Sequence, residues 1–257
     1  MDNSAADMTT VEVRTVDAGR GVAWWSEAWA LFMRSALLWV VLAVVLIIGF
    51  LLISLVPFLG TLATSLLMPV FIASWMVAAR KVEGGGTLEL ADLFACFKSE
   101  RLTPLIVLGA LLAGVTIVMF LVAGLLGAGA LFGMHAGAMQ RGNMGDMGAL
   151  LPAMGAGMLA MLVILLVGLL ATAALWFAPA LVVFRNVPPV EAAMASLRGV
   201  IKNWLPFVVY GVIQIVLSIV ASIPLALGWL VLLPVMLLTA YVSYRDVFGV
   251  PAALTSA

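Results

Sequence analysis

Six nearly unbroken apolar runs divide the chain, and short segments between them alternate apolar and polar residues at helical spacing. A helix needs about 20 mostly apolar residues to cross a bilayer. The runs at 36–56, 61–79, 103–132, 153–184, 204–223 and 229–244 meet or approach that length, and no charge lies in their cores. Five of the six end at a break: Pro57 to Gly60 after the first, Arg80-Lys81 after the second, Arg185 after the fourth, Pro224 and Gly228 after the fifth, Arg245-Asp246 after the sixth. The third and fourth exceed what a membrane requires and are expected to tilt or to project as a helical hairpin.

The segments before runs one, three and five predict amphipathic helices on a membrane surface. Val22, Trp25, Trp29, Phe32 and Met33 share a face in the first, Leu90, Leu93, Phe94 and Phe97 in the second, Val190, Met194, Leu197 and Ile201 in the third. Charges back each face: Glu27 and Arg34; Glu89, Asp92 and Lys98; Glu191, Arg198 and Lys202. Thr87, after Gly84-Gly85-Gly86, is the expected N-cap of the second, and Pro188-Pro189 opens the third. A surface helix followed by a hairpin of two spans thus recurs three times in one orientation, a parallel repeat. Leu66-Leu67-Met68-Pro69-Val70 matches Val231-Leu232-Leu233-Pro234-Val235, and an arginine follows each proline by eleven residues. The expected fold is all-α and polytopic, six transmembrane helices as three hairpins over 21–249, between a mobile cytoplasmic tail at 1–20 and a C-terminal tail at 250–257.

Composition removes the soluble alternatives. Hydrophobic residues make up 65% of the 257 and charged residues 9%, too little polar surface for a cytosolic enzyme. Twelve basic residues balance twelve acidic ones, which argues against nucleic acid as a partner. One cysteine, Cys96, excludes an internal disulfide and reads as a buried structural thiol. The first 20 residues do not resemble a signal peptide. Eleven of the twelve basic residues fall on one side of the spans and only Arg141 on the other, so both termini are expected in the cytoplasm of a bacterial cell, with the chain in the inner membrane. Trp39, Trp75, Trp176 and Trp204 are expected as an interfacial belt on that side, Trp229 on the other.

Candidate chemistry is sparse. An ionisable residue at mid-membrane marks a functional site by default, and no span core holds one. Gln214 is the most polar residue at depth and the candidate for a polar pathway. Pro69, Pro179 and Pro234 lie inside spans as candidate kinks. His135 with Met144 and Met147 forms a weak thioether site for a soft metal; the expectation is that no metal or other cofactor is bound. Gly129, Gly133 and Gly137 form a small-residue stripe for close helix contact. Arg34, Arg80, Lys81, Arg101, Arg185, Arg198 and Lys202 are candidates for lipid headgroup contact. One histidine and one cysteine cannot assemble a catalytic triad or a zinc site, and the chain is not expected to be an enzyme.

Ala178-Pro179-Ala180-Leu181-Val182, Glu191-Ala192, Ser196, Tyr241 and Tyr244-Arg245-Asp246-Val247-Phe248 resemble uncharacterised bacterial six-helix membrane proteins. They are similar to YciC-type inner-membrane proteins and to the membrane domain of glycerophosphodiester phosphodiesterases. The phosphodiesterase catalytic domain has no counterpart here, so the resemblance implies a fold and no activity. The expected role is a non-catalytic inner-membrane scaffold or accessory subunit in envelope organisation. Its partners would be the bilayer and a membrane protein or a second copy. The alternative is a transporter or channel for a small neutral or lipid-like solute.

Overall fold

The computed structural model describes residues 11–56, 59–141 and 147–249, without the side chains of 126–154 and 156. Its helices are α1 (Arg20–Met33), α2 (Ala36–Ser54), α3 (Leu59–Glu83), the 3-10 helix η1 (Leu90–Lys98), α4 (Leu102–Arg141), α5 (Met147–Trp176), α6 (Ala178–Arg185), α7 (Pro189–Lys202), α8 (Trp204–Ser222) and α9 (Trp229–Phe248). There is no strand among the described residues. Six helices are long and apolar enough to cross a membrane: α2, α3, α4, α5 continued by α6, α8 and α9. The fold is an all-α, multi-pass membrane architecture.

The fourth span differs from the single run expected. It breaks at Phe177, where the backbone N–H leaves the helical pattern and donates to Ser196 Oγ at 2.9 Å. Ser196 in turn donates to the Ala173 carbonyl at 2.7 Å, so one hydroxyl satisfies both groups that the break frees. Pro179 therefore opens α6 instead of kinking a continuous helix, while Pro69 and Pro234 do lie inside α3 and α9.

The chain divides into two compact units. One holds residues 1–110 and 173–257, the other Leu111–Thr172. The second consists of the remaining lengths of α4 and α5, whose described side chains are largely exposed and apolar: Ile117, Phe120 and Leu125 on one helix, Met158, Leu162 and Leu165 on the other.

In the first unit the second helix of each outer repeat is central. α3 and α9 are far more buried than their hairpin partners α2 and α8. Two surface helices rest on the second span of the repeat before them, η1 on α3 and α7 on α6, and α1 rests on α9, the second span of the third repeat. The core contains Trp24, Trp39, Trp75, Phe177, Leu181, Leu238 and Phe248. The two outer repeats turn alike. A Cβ on Gly60 would lie 2.2 Å from the Ile53 carbonyl oxygen, and one on Gly228 would lie 2.5 Å from Ala221 Cα. Each glycine meets the residue seven positions before it, so the hairpins share one close approach that only a missing side chain permits.

In the surface helices much of the expected apolar face points away from the bundle. In α1 the residues buried in the protein are Gly21, Trp24, Trp25, Ala28, Leu31 and Phe32, while Val22, Trp29 and Met33 stand exposed. In α7 the buried side is Ala192, Ala195, Ser196 and Gly199, and Val190, Met194 and Ile201 face outward. Small residues on that side let α7 approach the bundle closely, which leaves the large apolar residues pointing away. In η1 the buried residues are Leu93 and Cys96, and Leu90 and Phe94 are exposed. That element is a 3-10 helix capped at Glu89 and not at Thr87, because Asp92 Oδ2 accepts the Glu89 backbone N–H at 2.8 Å.

Residues 11–19 also depart from the expected mobile tail. Val16 N–H donates to Asn203 Oδ1 at 2.8 Å, Asn203 Nδ2 donates to the Arg14 carbonyl at 2.9 Å, and Arg14 N–H donates to the Val247 carbonyl at 2.8 Å. This segment is a strap fixed across α7 and α9.

Candidate functional site

Polar chemistry concentrates where α1 crosses the C-terminal ends of α9 and α3. Arg20, Trp24 and Glu27 recur at helical spacing along one side of α1. Arg20 Nε donates to Asp246 Oδ2 at 2.6 Å and its Nη2 to Glu27 Oε1 at 2.7 Å. Trp24 Nε1 donates to the same Asp246 oxygen at 2.8 Å. Arg245 Nη2 donates to Glu27 Oε2 at 2.5 Å, and its other terminal nitrogen pairs with Glu83. Tyr241 hydroxyl donates to the second Glu83 oxygen at 2.6 Å. Arg34 completes the contact, donating to the Val82 and Glu83 carbonyls at 3.2 and 3.1 Å. Burial works against the Arg20 charge, but its hydrogen bonds to Asp246 and Glu27 outweigh that and raise its affinity for the proton. Each carboxylate here is engaged by an arginine that does not release its proton near neutrality. The arrangement latches a surface helix to two spans.

The seven headgroup candidates separate by what they touch. Arg34 is taken up by helix-end carbonyls. Lys81 Nζ is 3.0 Å from Asp92 Oδ2 and 3.5 Å from Glu89 Oε1. Lys202 Nζ donates to the Val13 carbonyl of the strap at 2.7 Å. Arg198 is exposed, and Arg101 is half-buried. Arg80 and Arg185 belong to a different cluster. The Arg80 guanidinium carbon lies 5.0 Å over the Phe184 ring. Phe184 is 6.2 Å from the Tyr241 ring and 5.6 Å from that of Tyr244, and Tyr244 stacks on Phe248 at 5.7 Å. Arg185 Nη2 donates to the Phe248 and Gly249 carbonyls. Arg80, Arg185 and Arg245 thus occupy the same place in three repeats, at the C-terminal ends of α3, α6 and α9, and only Arg245 meets carboxylates among the described residues.

Gln214 is held in a ladder between α8 and α9. Its Oε1 accepts from Tyr210 hydroxyl at 3.0 Å, and its Nε2 donates to Ser218 Oγ at 3.2 Å and to Met236 Sδ at 3.0 Å. Thr239 Oγ1 donates onward to Tyr210 hydroxyl at 3.2 Å. Two apolar grooves run along the spans. One, of about 570 Å³, is lined by Trp25, Trp29, Leu217, Pro224, Leu232 and Val235; the other, of about 360 Å³, by Leu46, Phe50, Met68, Phe71 and Leu233. Gln214 lines neither of these grooves.

Cys96 is buried, and its backbone N–H donates to Ser74 Oγ at 3.1 Å. Burial pushes the thiol above its ordinary range, and Ser74 partly offsets this. The side chains of His135 and Met147, the whole of Met144, and the side-chain surroundings of Gly129, Gly133 and Gly137 lie outside the described residues. Among the described residues no group of three His, Cys, Asp or Glu side chains comes together to hold a metal.

Of the expected belt, only Trp204 is exposed. Trp39 and Trp75 are fully buried with ring centroids 5.0 Å apart, and Trp176 Nε1 donates to Ser243 Oγ at 3.0 Å. Trp24, Glu83, Tyr241 and Asp246 were not singled out by sequence reasoning as site residues. The i, i+4, i+7 recurrence of Arg20, Trp24 and Glu27 was the one local signal for them.

The chain is 29% identical to a probable inner membrane protein of Burkholderia thailandensis over 259 aligned positions, covering 91% of this chain and 93% of that protein. No family model matches the chain, and no solved structure matches it. The six apolar helices describe a multi-pass membrane protein, similar to that probable inner membrane protein.

Proposed function

We propose that this chain is a non-catalytic scaffold or accessory subunit of a bacterial inner membrane, acting on envelope organisation through the faces of its surface helices. One observation carries the reading. The helices α1, η1 and α7 are fixed to the bundle on one side and present Val22, Trp29 and Met33, Leu90 and Phe94, and Val190, Met194 and Ile201 on the other. Large apolar side chains on immobilised surface helices suit the boundary of a leaflet or a membrane partner. The sorting of eleven basic residues to one side supports both termini in the cytoplasm, and a reporter fused after residue 249 would be active there.

The test is crosslinking in intact membranes, followed by mild-detergent purification of the wild type and of Met194→Glu. The expected result is a stoichiometric partner, or a second copy, with the wild type that is lost in the variant while the spans stay inserted. A lone monomer that moves a neutral solute across liposomes would overturn the reading in favour of a transporter.

A further inference from the structure

The larger of the two apolar grooves, of about 570 Å³, has two helical walls. Ile213, Leu217, Val220 and Pro224 recur at i, i+4, i+7 and i+11 along α8, and Gly228, Leu232 and Val235 at i, i+4 and i+7 along α9. The walls are tied together at two depths. At the turn a Cβ on Gly228 would lie 2.5 Å from Ala221 Cα, and deeper in the span Gln214 Nε2 donates to Met236 Sδ at 3.0 Å. The groove is therefore preformed, as small-molecule sites usually are. Its other end is closed by α1. Trp25 stacks on Tyr210 at 5.0 Å, and its Nε1 donates to the Tyr210 carbonyl at 3.4 Å, three residues before Ile213. With Trp29 it forms the end wall.

Depth and chemistry name the occupant. Ile213 stands about 14 Å along α8 from Trp204, and the groove runs about 16 Å further, to Pro224. It occupies the half of the span nearest the α8–α9 turn, and its length is that of one leaflet, half of a hydrocarbon core about 30 Å thick. Ser26 is the one hydroxyl in its lining, and it is spent on the Ala23 carbonyl of its own helix. On the open side the lining is continuous with the lipid-facing surface of α8, where Val220 adjoins the exposed Val216 and Val212. A helix about 10 Å across needs more room than 570 Å³ spread over that length, whereas one hydrocarbon chain does not. At the turn Trp229 Nε1 donates to Ser222 Oγ at 3.1 Å, an indole and a hydroxyl where a lipid changes from hydrocarbon to headgroup.

We propose that this groove is a binding site for one acyl chain of a membrane phospholipid. The chain enters from the leaflet on the side of the α8–α9 turn, lies between α8 and α9, and ends against Trp25 and Trp29. The site goes beyond the scaffold reading and does not depend on it. It also gives α1 a second part to play, since the helix latched by Arg20 and Glu27 is the one that closes the groove.

The experiment uses the full chain in mild-detergent micelles, titrated with phosphatidylcholine that carries a photoactivatable diazirine at the end of one acyl chain. After irradiation the adducts are counted by mass and mapped on peptides. The expected result is labelling that saturates at a single lipid per chain and falls on Trp25, Trp29, Ile213 or Val235. Two variants separate the groove from the lipid-facing surface beside it. Val220 and Val216 are both exposed on α8, at 55% and 54%, but only Val220 lines the groove. Val220→Trp fills the groove and is expected to abolish the saturable adduct, while Val216→Trp is expected to keep it. If Val220→Trp does not fold, the map on the wild type decides. Labelling that does not saturate, that spreads evenly over outward positions such as Val212 and Ile219, or that is equal in the two variants overturns the site.

Discussion

Glu27 binds two arginines at once, Arg20 through one oxygen and Arg245 through the other. Its side chain is 33% exposed, so its worth lies between that of a surface pair and a buried one. Glu27→Gln is expected to destabilise the folded protein by about 1–3 kcal/mol, because it leaves two arginines half-buried without their shared carboxylate. Glu89→Gln, at a position 62% exposed beside Lys81, should cost less than about 1 kcal/mol. Reversible unfolding of the two variants in micelles separates the cases; equal losses would contradict the role given to Glu27. The sequence reveals that Glu27 backs an apolar face and that basic residues collect on one side. It does not reveal the partner, because Arg245 stands 218 positions away and no local pattern encodes that meeting. The tryptophans mislead for a related reason. An indole near a span end suits an interface and a core equally by composition, and Trp39 and Trp75 take the core because they face each other.

At the scale of elements, the spans were legible because about 20 apolar residues without charge have few other uses. α2 and α8 coincide with the expected runs to within two residues at either end. The break at Phe177 was not legible, since it depends on a hydroxyl from α7. The surface helices were found with their apolar faces, while the sides of α1 and α7 that pack on the bundle carry a different signal. Hydrophobic periodicity marks the apolar side, whereas close helix contact selects small residues such as Ala192, Ala195 and Gly199. The repeat is sharpest in the hairpin turns. Gly60→Ala and Gly228→Ala are each expected to cost about 1–3 kcal/mol, since the added methyl meets backbone that cannot yield. Gly49→Ala, with nothing near its Cβ position, should be neutral or stabilising by up to about 1 kcal/mol. Unfolding curves for the three variants test this, and a tolerated Gly228→Ala would remove the equivalence of the turns.

Within the unit formed by residues 1–110 and 173–257, η1 and α7 each lie on the second span of the preceding repeat, and α1 lies on the last span of all. Asn203, 1% exposed, fixes the strap by accepting from Val16 and donating to Arg14 and Gly199. Asn203→Leu is expected to release residues 11–19 while the helices persist. Limited proteolysis would then remove the N-terminal segment from the variant and spare it in the wild type; equal protection would sink the assignment. The placement of α1 has a consequence for biosynthesis. Of the described helices α1 is synthesised first, yet Trp24, Arg20 and Glu27 each find a partner on α9, more than 200 residues later. Until the last span is inserted, the nascent chain carries an unclosed first helix at the membrane surface. Insertion of α9, not of the early spans, is the event that closes α1 onto the bundle.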